Sequence, residues 1–349
     1  MSNVSDFANN DIIAVPTIPI DYPAADRALP LTRKENLMLA LEHKKPAYMP
    51  NLGDAVQYIP PFAYGDMPAN VTADGKDWFG VTYKYTAEQG SSAPLGDVLS
   101  EVTKWREEVV WPDYDAWDWR AGADEFARMK DPGRATVAWF TNGIFERLHI
   151  LEGMTQGLLD LAQSPDDCRE FFERVADHKT EMFNRLHEIY DLDFIIYNDD
   201  WGTQNGPFFS HKIITRLLLE PTKRFVKAVQ DTGVKVVFHN CGRVDTLIHF
   251  LVEDIGADGL EIQSINDIKA ILTQYGDRVT SEYQMDLRVL YDPKATEELA
   301  RSYARAIVDE YGAQANPGAG VMLRGSALRP EIWYAFEKEM YEYSLAHYK

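Results

Sequence analysis

His239 and Cys241 stand two positions apart at the end of an apolar run, Val234-Lys-Val-Val-Phe238, and both side chains are good zinc ligands. Alternate residues of a strand share a face, so a strand that stops on this pair presents imidazole and thiol to the same side. A buried cysteine beside a hydrogen-bonded histidine would give the same pair. Gly242 follows and lets the chain turn away. Other strand-like runs also end in chemically capable groups. Asp193–Asn198 runs into Asp199, Asp200 and Trp201. Ala257–Ile262 carries Glu261 and ends in Gln263. Arg278–Tyr283 ends in Gln284 and Asp286, and Gly320–Arg324 ends before Ser326. Glu261, on the strand after the His-x-Cys run, can complete a His/Cys/Glu metal site, or it can pair with a lysine or arginine instead.

Such groups do chemistry together only if the fold gathers the strand ends. About eight strand-like segments alternate with helical ones along the chain, which is the pattern of βαβ units and a parallel sheet. No G-x-G-x-x-G follows the first strand, and the last four strands are evenly spaced. A closed (β/α)8 TIM barrel with an N-terminal extension is therefore expected, with its active site at the carboxyl ends of the strands. The expected strands begin at Ala47–Asp54, Phe79–Tyr85 and Ala135–Phe140. Residues 1–30, spotted with Pro16, Pro19, Pro23 and Pro30, read as an extended arm, and 31–349 as a single barrel domain. Thr32 and Glu35 form a capping box that opens the first helix. The arm points to a homodimer.

With 55 acidic against 35 basic residues the net charge is −20. That argues against nucleic acid and against docking on anionic membrane, since both need a basic face. No run is apolar enough to span a bilayer, and residues 1–10 lack the basic start and apolar core of a signal peptide. Two cysteines, Cys168 and Cys241, make no disulfide framework and suit a reducing compartment; a cytoplasmic location is expected. Cys168, just after Ser164-Pro165, reads as structural, as do the histidines of the helical stretches. Trp105, Trp111, Trp117 and Trp119 fall close together, either as packing under a loop or as the wall of an apolar pocket.

From about Leu31 onward the chain resembles the uroporphyrinogen decarboxylase superfamily, and within it the cobalamin-dependent methyltransferases. The resemblance rests on Leu31–Leu37, Gly143–Leu148, the turn Phe238-His-Asn-Cys-Gly242 and Ile255–Glu261. It implies zinc held by His239 and Cys241, with a carboxylate in the place of Glu261. Pro50-Asn-Leu-Gly-Asp54 stands where the decarboxylase has its arginine-rich propionate motif, which argues against porphyrinogen chemistry. Thiol-methylating members carry a second cysteine after the last strand, whereas this chain has Leu323-Arg-Gly-Ser-Ala-Leu328.

One thiolate and one carboxylate bring a zinc site to formal neutrality, which suits polarising a weakly basic oxygen at an open position. Cleaving a methyl ether requires that. The resemblance thus implies O-demethylation of a methoxylated aromatic, with the methyl passed to the Co(I) of a corrinoid (cobalamin) carried by a separate protein. Asp199 or Asp200 would protonate the departing phenolate or orient His239. Tyr197, Trp201, Phe238 and Tyr283 would hold the ring, and Asn198, Gln204, Gln284 and Asp286 would read its substituents. The alternatives are methyl transfer from a methylcorrinoid to a thiol or tetrahydrofolate, a metal-free decarboxylase using Asp286 or Asp199, and a metal-free binding barrel.

Overall fold

A computed structural model describes residues 29–60, 66, 73–88, 90–284, 288–312, 321–324 and 329–348. The expected arm lies outside the described residues through residue 28, as do Asp286, Ser326 and the side chain of Gln284. No helix among the described residues is long and apolar enough to cross a membrane.

The chain is an α/β protein in which, among the described residues, six parallel strands alternate with helices: β1 Ala135–Phe140, β2 Phe194–Asn198, β3 Lys235–Asn240, β4 Gly259–Ile262, β5 Thr280–Gln284 and β6 Val321–Arg324. Its contacts divide it into two compact units. One holds residues 29–57, 131–135 and 258–348 with the ladder β4–β5–β6; the other holds 58–130 and 136–257 with the ladder β1–β2–β3. These strands are the last six of the eight read from the sequence. The first expected strand is displaced: Leu52–Ala55 is a helical turn capped by Asn51, and the strand is Val56–Tyr58. The second, around Phe79–Tyr85, is no parallel strand. Thr82–Thr86 pairs antiparallel with Gly75–Lys76 and Ser91–Pro94. In Thr82–Thr86 Tyr83 is buried while Lys84 and Tyr85 are exposed, which fits a sheet not covered on both faces as parallel strands are.

In the first unit the Thr32–Glu35 capping box forms as expected at helix Arg33–Leu41. Asp54 ties that helix to the C-terminal helix Pro330–His347, accepting from Arg33 Nε (2.9 Å) and Tyr341 Oη (2.6 Å). Asp267, which reads from the sequence as a helix cap, caps helix Ile268–Tyr275. Asp292, followed by Pro293, reads in the same way but does not cap the next helix. It closes a turn by accepting from Lys294 N (2.7 Å), and Thr296 caps Glu297–Tyr311.

In the second unit the sequence after Thr141-Asn-Gly143 reads as one helix through Glu146 to about Leu159, but the chain breaks at Gly153, whose φ of +86° ends Ile144–Glu152 before Met154–Gln163 begins. The long helix Pro165–Tyr190, with Pro165 in its first turn, covers the sheet. The tryptophans pack on one another against this helix. Trp78 meets Trp117 and Trp119 at 4.6 and 5.3 Å, and Trp111 meets His178 at 5.8 Å. Arg147 of helix Ile144–Glu152 is fully buried and grips Asp77 (2.7 Å) and Asp66 (2.8 Å); Lys179 and His178 also bond Asp66. Burial opposes the charge on Asp66, but Lys179 and Arg147 hold its pKa well below the usual range.

Two predictions follow from this packing. Arg147→Met strands Asp66 and Asp77 without their shared cation, so urea unfolding should show a loss of about 3–5 kcal/mol; a loss under about 1 kcal/mol would reduce the network to the worth of surface pairs. Glu152 is buried beside Asp160, which already accepts from Val102 N (2.6 Å) and Gln156 (2.8 Å), while neither Glu152 oxygen meets a donor among the described residues. Burial first, then the Asp160 charge, pushes Glu152 up to about 9. The folded chain therefore holds this proton after the unfolded chain has released it at about 4.3, and stability falls as pH rises between those values. Glu152→Gln should raise the melting temperature at pH 8 and leave it unchanged at pH 4; an equal shift at both would remove titration as the cause.

Candidate metal centre

The register of the second ladder sets Tyr197 beside Phe238 and Asn198 beside His239. Side chains on one face of the sheet therefore include Trp139, Asn198 and His239, and those on the other include Phe140, Tyr197 and Phe238. The second set faces the helices. Tyr197 packs 5.1 Å from Phe225 of helix Leu219–Gln230 and 5.1 Å from Phe238, and Phe238 packs 5.4 Å from Trp201. Tyr197, Trp201 and Phe238 are all fully buried. These three residues, read as ring-holding side chains, thus fill the core between sheet and helix.

The adjacent aspartates separate by the same parity. Asp199 turns to the helix side, where its carboxylate accepts from Phe145 N (3.1 Å) and Glu146 N (2.9 Å) and so caps helix Ile144–Glu152. Gly143 is required there, because a Cβ would collide with Asp199 and come within 2.6 Å of the Asn198 carbonyl. Burial raises the Asp199 pKa to about 6, against the pull of the backbone donors. Asp200 turns to the other side and joins His239 and Cys241.

The donor atoms of Asp200, His239 and Cys241 all lie within 4.8 Å of one another, and such a group can hold a metal ion. His239 Nε2 is 3.3 Å from Cys241 Sγ and 3.7 Å from Asp200 Oδ1. Ligands about 2.0–2.3 Å from a tetrahedral zinc stand roughly 3.3–3.8 Å apart, so these spacings fit the ion. His239 is 9% exposed, while Asp200 and Cys241 are half-buried. The centre therefore opens toward solvent on the Asp200–Cys241 side. Glu261 lies buried in the other unit, and the cluster forms from Asp200, His239 and Cys241.

Asn240, between the two candidate ligands, locks the arrangement. Its Oδ1 accepts from Trp201 N (3.0 Å) and its Nδ2 donates to the Asp199 carbonyl (3.0 Å), fixing the backbone on both sides of Asp200. Cys241 N then donates to Asp200 Oδ1 (2.7 Å). Gly242, at φ +78°, lets the two turns touch: a Cβ on Gly242 would lie 2.6 Å from the Gly202 carbonyl, and one on Gly202 would lie 2.7 Å from the Cys241 carbonyl. Asn198 Nδ2 donates to Glu146 Oε2 (2.8 Å). Burial, followed by the charges of Asp200 and Asp199, raises the Glu146 pKa well above the carboxylate range.

The remaining sequence candidates lie elsewhere. Gln204 is exposed at the turn of the hairpin Gly202–Thr203/Gly206–Pro207. Tyr283 is buried on β5 of the other unit, stacked 4.3 Å from Tyr311. Asn240, Glu146 and Trp139 were not singled out as site residues. Asn240 carried a signal, since an amide between two candidate ligands can clamp a turn. Trp139, at 5.8 Å from the His239 ring, carried one only once the register was known.

No family model matches the chain, and no curated protein matches it. Among solved structures it is similar to an endo-1,4-β-xylanase from Caldicellulosiruptor owensensis (10% identity, TM-score 0.36, covering 64% of this chain and 75% of that one). It is likewise similar to an endo-β-N-acetylglucosaminidase from Cordyceps militaris (13% identity, TM-score 0.35, 66% and 78%). Both likenesses are too slight to bear on its chemistry.

Metal titration of the metal-free chain against a chromophoric chelator tests the centre. Asp200→Asn and Cys241→Ala should each weaken zinc by more than the roughly 10–100-fold that loss of an outer partner costs, while Glu261→Gln retains it. Zinc kept by Asp200→Asn and lost by Glu261→Gln would transfer the third ligand to Glu261.

Proposed function

We propose that this chain is a zinc-dependent methyltransferase that takes the methyl group of an aryl methyl ether and passes it to the Co(I) of a corrinoid on a partner protein. The observation that carries the reading is the Asp200–His239–Cys241 cluster. Its carboxylate, thiolate and neutral imidazole offset the two charges of zinc and leave a coordination position free. Bound there, zinc supplies a Lewis acid for an ether oxygen.

The residues divide the remaining work. Cys241 and Asp200 keep the centre neutral, so that electrophilic character is not spent on excess ligand charge. The Asn240 clamp and the Cys241 N–H hold the Asp200 carboxylate on the His239 side of the sheet. The corrinoid of the partner protein would supply the nucleophile that takes the methyl group, and the electron pair of the broken carbon–oxygen bond would stay on the phenolate oxygen. Glu146, anchored by Asn198, would return a proton to that oxygen. The Cys241 thiol needs the reducing cytosol for this role.

The test is a mixture of zinc-loaded chain, cob(I)alamin and methoxylated aromatics, read by the growth of the methylcobalamin spectrum and by release of the phenol. Both signals should appear together, and Cys241→Ala should lower them roughly hundredfold or more, the worth of about 3 kcal/mol of transition-state stabilisation. Absence of phenol across a panel of methoxybenzenes, with zinc bound, would sink the reading.

A further inference from the structure

We infer that Trp139 and Tyr58 form the platform on which the substrate's aromatic ring lies beside His239. This rests on the aryl-ether reading and adds the part of the site that selects a ring. Trp139 pairs with Ile196 in the β1–β2 register and Ile196 with Val237 in β2–β3, so Trp139 projects from the same face as His239. The rings make a row: Tyr58 stacks on Trp139 at 6.2 Å and 28°, and Trp139 meets His239 at 5.8 Å and 52°. Tyr58 is brought there by its neighbour Ile59, whose N–H donates to the Val137 carbonyl (2.9 Å) at the edge of the ladder.

Exposure distinguishes this row from the aromatics of the opposite face. Phe140, Tyr197, Trp201 and Phe238 are fully buried among helices, whereas Trp139 is half-buried and Tyr58 is 40% exposed. Part of both rings is therefore exposed, and Trp139 lies on the face that carries His239. A planar ring stacks on indole and phenol faces and gains more than its buried area alone supplies, whereas a puckered aliphatic ring of the same size gains only the area. A methoxybenzene lying along the row brings its ether oxygen toward the His239 end, where the metal donors converge. Gln204, exposed on its hairpin, and Tyr197 and Phe238, sealed under helices, take no part.

Calorimetric titration of the zinc-loaded full chain with 1,2-dimethoxybenzene, and in parallel with 1,2-dimethoxycyclohexane, tests the platform. Wild type should bind the aromatic ligand more tightly. Trp139→Leu should weaken dimethoxybenzene about tenfold, leave the cyclohexane analogue unchanged and keep its zinc, and Trp139→Phe should recover most of the affinity. Tyr58→Leu, at a partly exposed position, should act in the same direction and serves if Trp139→Leu fails to fold. Unchanged dimethoxybenzene affinity in both leucine variants overturns the platform while leaving the methyl-transfer reading intact, because zinc binding and phenol release are measured separately. Wild type that binds zinc but neither ligand overturns the aryl-ether reading and the platform with it.

Discussion

The parallel pairing of Asn198 with His239 is the constraint on which this site depends. A strand residue has two faces to choose from, and the register decides which residues of neighbouring strands share one. Once β2 and β3 are aligned at this pair, Tyr197 and Phe238 must face the helices, and His239 must face the other way. A shift of one residue would bury the imidazole against Phe225 and turn Phe238 outward. The apolar set, fully buried between sheet and helices, makes that shift costly, at about 1.5–3 kcal/mol for each large side chain exposed. The hydrophobic core thus fixes the chemistry on the opposite face.

The same alternation carries past the strand end and gives two adjacent aspartates different work. Asp199 continues the helix face and satisfies amide donors that the first turn of Ile144–Glu152 would otherwise leave without partners. Asp200 continues the other face and meets His239 and Cys241. A free loop would blur this distinction within a residue or two. The Asn240 clamp and the contact of Gly202 with Gly242 prevent that, because the backbone on each side of Asp200 is bonded to the strand that carries the other two donors. The site is thereby held by backbone geometry and does not depend on long flexible side chains, the arrangement in which metal affinity loses least to ordering.

Charge is treated differently at different depths of this unit. Deep under the loops, Arg147 and Lys179 offset Asp66 and Asp77 in a closed network. Close to the metal donors the carboxylates Glu146, Asp199 and Asp200 stand together, and burial and mutual repulsion raise the pKa of Glu146 and Asp199. A bound cation would relieve that crowding, which is the electrostatic counterpart of the donor geometry.

Much of this could be read along the chain. The alternation of strands and helices, the last six strands, the Thr32–Glu35 capping box and the same-face placement of His239 and Cys241 are local consequences of residue type and spacing, and the structure has them. The displaced first strand and the antiparallel Thr82–Thr86 were less legible, since short alternating runs suit either kind of sheet until their neighbours are known. What tertiary structure alone decided was that Asp200 converges with His239 and Cys241, and which aromatics the core takes. The sequence points to Glu261, on the next strand, as the third ligand and gives Asp200 a part in proton transfer or in orienting His239; the convergence of Asp200 with His239 and Cys241 depends on register and on backbone clamps between segments some forty residues apart. Likewise nothing in Tyr197, Phe238 or Trp139 as residue types says which face each will take. Spacing within a segment fixes relative direction, but only pairing between segments fixes which direction is the core.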